Sequence, residues 1–413
     1  MKTFASHADR PQLHSPAGDR PDDRDQRTRR RHRPPGAGAR HGPDHRRGGA
    51  RRPAARRRRR LGRTRARRPA GERVRRARRQ RRRRDRGRRG APDRGAHRDR
   101  VTTWVPTIIT ASEERIVAAL EVVAAARRAD PAVAHAIPFV HLEGPHISDL
   151  DGPRGAHDRR WVRPPSIAEY RRWQRAAGGL IGIVTLSPHH PGSREYVAAL
   201  HADGVHAAVG HTHATGAEID AAAGAGAVLS THLGNGAHGE LPRHPNYIWS
   251  QLADDRLTAT FIADGHHLPG EVLRSMLRAK GPGRSVLVSD AVALAGMPPG
   301  SYETPVGGTV ELSADGRLSR PGTPFLAGAA CSLADAVARV TGLAGIGLAD
   351  AVTLATASPA RFLPPGCPDR GVLRAGAAAD VITFRWRPGD PTLDVRTVLA
   401  GGRPVTTEAR HAG

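Results

Sequence analysis

AIPFVHLEGPH, residues 136–146, decides how the rest of this chain is read. The apolar run through Ile137, Phe139, Val140 and Leu142 predicts a buried strand, which stops at Glu143 because Gly144 and Pro145 follow. Strand side chains alternate faces, so Ile137, Phe139, His141 and Glu143 share one side, with Glu143 at its rim. A carboxylate there either caps the next loop or serves something the strand end faces. Three later stretches end the same way: VGHTH puts His211 at a strand tip, LSTHLGN puts His232 there and VLVSDA puts Asp290 there. Four strand ends converging with Glu, His, His and Asp predict a metal site at the mouth of a parallel barrel.

Outward from that stretch, strand and helix alternate with short connections, the pattern of βα units around a parallel sheet. VTTWVPTIIT is a strand, and Ser112 with Glu113 and Glu114 opens a helix with Ile116, Ala119, Leu120 and Val123 on one face. After AIPFVHLE and a loop around RGAHD comes a helix with the capping-box pattern Ser166 to Glu169, ending at Gly178 and Gly179. LIGIVTLSP, VHAAVGH, AVLSTH, LTATFIADG and SVLVSD are further strands. Helices are expected from Ser193 to Ala202, at GAEIDAAAG and from Glu271 to Ala279, with a polar loop before LTATF. That makes seven strands where a closed barrel needs eight, and the eighth would precede Val101. VALAGMPPGSY reads as a loop and TVELSADGRLS as a hairpin turning at Asp315-Gly316. Helices at SLADAVARVTGL and LADAVTLAT complete the outer ring. GVLRAGAAADVITF and VLAGGRPV form a small β appendage, giving expected units of 1–100, 101–365 and 366–413.

The formal charge of +27 over 413 residues would suggest a nucleic-acid partner, but its distribution does not. Residues 1–100 hold 38 Lys and Arg against 10 Asp and Glu, and the remaining 313 hold 28 against 29. The first hundred residues are built from Arg, Ala, Gly, Pro, Asp and His, a composition that buries too little apolar surface to offset chain entropy. One reading is a polycationic arm that holds phosphate backbones, although it lacks aromatic interleaving. The other is a GC-rich coding sequence in the wrong frame, which yields the same mixture; it predicts that the DNA upstream of the Val101 codon encodes strands in another frame. Cys331 and Cys367 form no CxxC, which argues against a disulfide framework or a thiolate metal site. No stretch has the length of a membrane helix and MKTFASHADR lacks a signal-peptide core, so a cytoplasmic protein is expected.

His211 and His232 are too far apart for one helix but suit neighbouring strand tips joined by one helix. With Glu143 they suit zinc, iron or another divalent first-row ion with an open position. Asp290 is either a helix N-cap or a base that takes a proton from water and returns it to a leaving group. His141 lies deeper on the face of Glu143, and His213 reads as a solvated loop residue. His189, His190, His201, His206 and His238 read as structural.

PTIITAS, HLEGPHIS, RGAHD, VTLSP, VGHTHAT, THLGNG, IADGHHL, VSDAVALAG, ATASPARFL and GVLRAGAAADVITF, in this order and spacing, resemble the N-acetylglucosamine-6-phosphate deacetylases of the amidohydrolase superfamily. The resemblance implies a TIM-type barrel with a small β-sandwich and removal of an acetyl group from N-acetylglucosamine 6-phosphate. By position, it makes Glu143, His211 and His232 the metal ligands and Asp290 the general base and acid. His157 would polarise the acetyl carbonyl and His267 would contact the sugar. Asn235, the Gly236 backbone and Arg243 would bind the phosphate, with Arg243 reaching in from a second subunit of a homodimer. Arg243 is equally readable as an exposed loop arginine. The histidine pair that many members carry on the first strand for a second metal is not legible here, so one ion is supported. THLGNGAHGELPRHPNYIW departs from the commoner THLYNAM form and His213 replaces a usual Asn, which leaves another N-acyl sugar or small amide open as substrate. A polycation-tailed nucleic-acid-binding protein with an inactive barrel is the alternative from a different class.

Overall fold

The structure, a computed structural model, describes residues 101–304, 308–323 and 325–405. The expectations for residues 1–100, including the polycationic arm and the strand before Val101, lie outside the described residues.

All seven expected strands are present, in one parallel sheet whose order follows the sequence. They are β1 (Thr107–Ile109), β2 (Val140–Glu143), β3 (Ile181–Leu186), β4 (His206–Val209), β5 (Ala227–Ser230), β6 (Thr258–Ile262) and β7 (Ser285–Val288). Ile109 pairs with Glu143, Glu143 with Thr185 and Leu186 with Val209, so the C-terminal ends line up along one rim. Among the described residues β1 and β7 are the two edges. A helix-covered parallel sheet in this order fits the wall of a TIM-type barrel.

The helices form where the apolar spacing and caps require them. Helix α1 (Glu113–Ala129) starts at Ser112, whose side chain accepts from Arg115 N–H, and it buries Ile116, Leu120, Val123 and Ala124. A short α2 (Pro131–Ala136) follows, with Pro at its start, so the strand after it begins only at Val140 rather than at Ala136. Helix α3 (Ile167–Ala176) has half of the expected capping box. Ser166 accepts from Glu169 N–H, but the Glu169 carboxylate turns away to receive Arg163. Helices α4 (Ser193–Ala202) and α5 (Gly216–Gly224) match expectation, and α5 carries a complete capping box between Thr215 and Glu218. The stretch read as a polar loop contains α6 (Tyr247–Ala253), capped by Asn246, whose side chain accepts from Ile248 and Trp249 N–H. Helices α7 (Gly270–Lys280), α8 (Leu333–Ala344) and α9 (Leu348–Ala355) complete the set needed here.

Two apolar cores hold the sheet. Val140, Leu142, Val184 and Val209, all fully buried, pack with Ile116 and Leu120 of α1, Tyr170 and Trp173 of α3 and Val197 and Leu200 of α4. Strands buried on both faces read as unbroken apolar runs, which is why these were legible. Truncating one such side chain to alanine costs ~2–5 kcal/mol. The second core joins Phe261 and Leu287 to Leu273 and Leu277 of α7 and to Val337 and Val340 of α8.

The C-terminal third differs in detail from expectation. The hairpin turning at Asp315 and Gly316 exists as β9 (Gly308–Leu312) and β10 (Leu318–Ser319). A third strand, β8 (Gly300–Thr304), pairs with β9 out of a stretch whose Gly and Pro content suggested a loop. Of GVLRAGAAADVITF only β11 (Val381–Arg385) is a strand; it pairs with β12 (Asp394–Ala400), which pairs with β13 (Arg403–Pro404). Val395 and Val398 of β12 enter the second core. No helix among the described residues is long and apolar enough to cross a membrane.

Candidate active site

Glu143 is the last residue of β2, whereas His211, His232 and Asp290 each stand two residues beyond the last strand residue of β4, β5 and β7. All three of the latter have positive φ, at 48°, 28° and 49°, and no other non-glycine among the described residues does. Left-handed backbone at a residue with a Cβ costs on the order of 1–3 kcal/mol and persists only where the surroundings impose it. The surroundings here are tight. A Cβ on Gly210, just before His211, would meet Thr185 and Thr231 of the neighbouring strands at 2.8 Å, and one on Gly236 would come within 2.7 Å of His211 Nδ1.

The result is a carboxylate ringed by imidazoles. Glu143 Oε1 lies 3.0 Å from His211 Nε2, 3.2 Å from His157 Nε2 and 3.8 Å from His232 Nε2. All four residues are buried. The His211 ring stands edge-on to those of His157 and His232, with centroids 4.4 and 4.9 Å away. Glu143, His157 and His211 bring one ligand atom each within 4.8 Å of one another, so His157 stands among the candidate ligands, whereas His232, expected as one, is not part of that group and has its Nε2 3.8 Å from Glu143 Oε1.

Two observations test whether a cation fits. His211 Nδ1 is 2.8 Å from the Pro153 carbonyl, to which it can only donate, so a neutral ring turns the Nε2 lone pair toward the Glu143 carboxylate. Two acceptors 3.0 Å apart need a positive charge between or upon them. His232 is held differently: its Nε2 is 3.8 Å from Glu143 Oε1, and its Nδ1 is buried without a hydrogen-bond partner, so no such contact fixes that ring. A carboxylate and imidazoles are the donor set of a divalent first-row metal, and a ring fixed through its other nitrogen is how such ligands are held.

Electrostatics follow from burial and proximity. Burial opposes the Glu143 charge, but the His157, His211 and His232 rings around it outweigh burial and hold the carboxyl well below its usual range. Burial, then the neighbouring His211, pushes His157 down to about 4 against the pull of Glu143. For His232 burial is overcome by the nearby Glu143 carboxylate, with Asp290 adding to it, and the ring is raised to about 9. Asp290 is pushed up by burial and then by the Glu143 charge, against His232 and His267.

Residues that strand phase did not single out support these groups. Thr110, just past β1, has its Oγ1 2.8 Å from His157 Nδ1. Thr260 Oγ1 accepts from His232 N–H at 2.6 Å. Asp264 Oδ2 is 2.7 Å from His267 Nδ1. His141, placed deeper by its phase, lies between the Thr107 and Thr185 hydroxyls at 3.2 and 2.7 Å. Asn235 folds back on the His232 carbonyl through both its backbone and its side-chain N–H. Gly236 has φ 58° beside His211. Arg243 is exposed on the outer part of the same loop and has no hydrogen bond or ion pair with the described residues.

A second imidazole group occupies the same rim. His189 lies 3.8 Å from His190 and 4.0 Å from His213, centroid to centroid. His213 is half-buried and bonded through Nδ1 to Ser148 Oγ at 2.6 Å, rather than a solvated loop residue.

No family model matches the chain. It is 36% identical over 185 residues to the N-acetylglucosamine-6-phosphate deacetylase of Bacillus subtilis (strain 168), a match covering 44% of this chain and 46% of that protein, so it spans about half of that relative's length. It is 33% identical over 307 residues to the N-acetylgalactosamine-6-phosphate deacetylase of Escherichia coli O157:H7, covering 74% of this chain and 78% of that one. The fold superposes with a TM-score of 0.67 and 32% identity on an N-acetyl-D-glucosamine-6-phosphate deacetylase mutant from Mycobacterium smegmatis, in complex with N-acetyl-D-glucosamine-6-phosphate, over 76% of this chain and 80% of that one.

Proposed function

This chain belongs to the N-acetylglucosamine-6-phosphate deacetylase family of amidohydrolases, and from that premise we propose that it hydrolyses the acetamide of an N-acetylhexosamine 6-phosphate to the amine and acetate. The observation that carries the proposal is the meeting of Glu143, His157, His211 and His232 around one carboxylate oxygen, within electrostatic reach of Asp290. N-acetylglucosamine 6-phosphate is the first substrate. N-acetylgalactosamine 6-phosphate is the second, because the Escherichia coli relative, matched over 74% of this chain, is named for that epimer.

Glu143, His211 and His232 are the residues to hold a divalent cation, zinc first, with His157 at its side. Such an ion supplies Lewis-acid polarisation of the amide carbonyl and of water. The protein's own groups do the rest. Asp290 takes the proton of the attacking water on its carboxylate as the oxygen bonds to the carbonyl carbon, then delivers it to the amide nitrogen as the C–N bond breaks. His157, steadied at Nδ1 by Thr110, has its Nε2 3.2 Å from Glu143 Oε1 and would polarise the carbonyl oxygen as that oxygen gains charge. His267 would contact the sugar, and Asn235 and the Gly236 backbone its phosphate. Exposed Arg243 suits phosphate binding across a homodimer, since its planar fork pairs two oxygens. Residues 101–365 would form the barrel domain and 366–413 the β appendage, in a cytoplasmic enzyme.

The test offers both epimers to the full chain, each with and without phosphate, and measures acetate release. Turnover of a 6-phosphate and little of the free sugar is expected. Acetate from neither epimer, in a protein that carries its metal, would remove the assignment.

A further inference from the structure

Strand β6 breaks the rule of its neighbours. The residue two past the ends of β4, β5 and β7 is His211, His232 or Asp290, turned by a positive φ; two past the end of β6 stands Asp264, whose φ is not positive. Its carboxylate is 97% buried and is not among the residues grouped around Glu143. Instead Oδ1 accepts from the N–H groups of His266 and His267 at 2.8 and 2.9 Å, and Oδ2 lies 2.7 Å from His267 Nδ1. Arg339 of α8 fixes the backbone below by donating to the Asp264 carbonyl at 2.8 Å. All the acceptor capacity of this group that is in use points at one short turn, and that turn ends in a histidine ring.

Resting on the functional reading above, we propose that Asp264 is a positioning residue that locks His267 in the Nδ1–H tautomer, so that a bare Nε2 accepts a hydrogen bond from a hydroxyl of the bound sugar. A carboxylate receiving two backbone N–H groups is held in its charged form and is an acceptor only. The Nδ1 proton therefore has to lie on the ring. With that single proton on the ring, Nε2 presents a lone pair, which pairs with an O–H donor and disfavours a carbonyl or ether oxygen. The ligand chemistry this assigns to the sugar end is thus a ring hydroxyl, while the phosphate, an acceptor, falls to other residues. Nothing else in the β6 turn competes for Nδ1, and the His266 ring is directed away, to the Asp315 carbonyl at 3.1 Å.

The experiment uses the full chain labelled with 15N-histidine, with His267→Gln to identify the resonances of that ring. At neutral pH the wild type should show His267 with its proton on Nδ1. Asp264→Asn keeps an oxygen for the two backbone N–H groups but can place its amide N–H against Nδ1, so the ring should switch to Nε2–H. With substrate, Asp264→Asn should raise KM about tenfold or more and change kcat much less, the cost of facing two donors across one hydrogen bond. Analogues with each ring hydroxyl replaced in turn by fluorine should bind the wild type worse at one position and the variant about equally. A wild-type ring protonated at Nε2 overturns the proposal even if the variant fails to fold. So does an Asp264→Asn ring with its proton still on Nδ1 and KM unchanged. If no acetylated sugar is a substrate, the nitrogen shifts still decide the Asp264 assignment while the functional reading fails separately.

Discussion

Two groups of three imidazoles stand on the same rim of the sheet, and they are built for different ends. His157, His211 and His232 surround the carboxylate of Glu143, are buried, and include two of the three left-handed non-glycine residues. His189 lies against both His190 and His213, none of the three has positive φ, and their hydrogen-bond partners are neutral: the hydroxyls of Ser187 and Ser148 and the carbonyl of Ile147. Histidine density alone therefore marks no site here. A buried carboxylate and imposed backbone strain do, because both cost stability and neither persists without something to hold.

The largest effect separating the two groups should come from Asp290, which faces only the first. Asp290→Asn keeps the volume and removes the proton acceptor, so kcat should fall about 10²–10⁴-fold with metal content unchanged. Unaltered turnover would detach Asp290 from the site. Next in size, Thr110→Val takes the hydroxyl from His157 Nδ1 while leaving the strand end intact. Loss of such a supporting bond should lower kcat about tenfold, and full activity would show that His157 needs no orientation.

His232 and His189, one from each group, should also respond to pH with opposite sign in protein stripped of metal. His232, raised to about 9 by Glu143 against burial, is protonated in the folded state before the unfolded chain is. Its contribution is complete below about pH 6.5 and fades as pH rises through about 9. His189, lowered to about 4 by burial and then by His190 and His213, behaves in reverse. The unfolded chain takes up the proton first, so stability is lost as pH falls from about 6.5 toward 4. Melting temperatures of the stripped wild type, His232→Gln and His189→Gln across that range should show each variant flattening one limb; both flattening the same limb would contradict the distinction. Smallest of all, His189→Gln should change turnover by less than about threefold, under 1 kcal/mol of barrier.

How much of this was legible depends on whether a residue answers to periodicity. The seven strands could be read because buried parallel strands are apolar on both faces, and Glu143, His211, His232 and Asp290 because each interrupts such a run at its end. What sequence alone did not disclose was set by partners distant in the chain. Thr110 meets His157 47 residues away, and Glu169 leaves its expected capping role because Arg163 is at hand. Asp264 sits in the same phase as His211, His232 and Asp290, yet only the fold shows that its carboxylate meets a ring three residues on. Helix α6 and strand β8 were hidden by Gly, Pro and polar neighbours whose local signals favour loops.

The central claim is that Glu143 gathers one divalent cation, and the most direct measurement is the metal content of the full chain after dialysis, for the wild type, Glu143→Gln and His189→Gln. The account predicts close to one equivalent in the wild type and in His189→Gln, and almost none in a Glu143→Gln protein whose circular dichroism is unchanged. Metal retained by Glu143→Gln, or lost from His189→Gln instead, would contradict it.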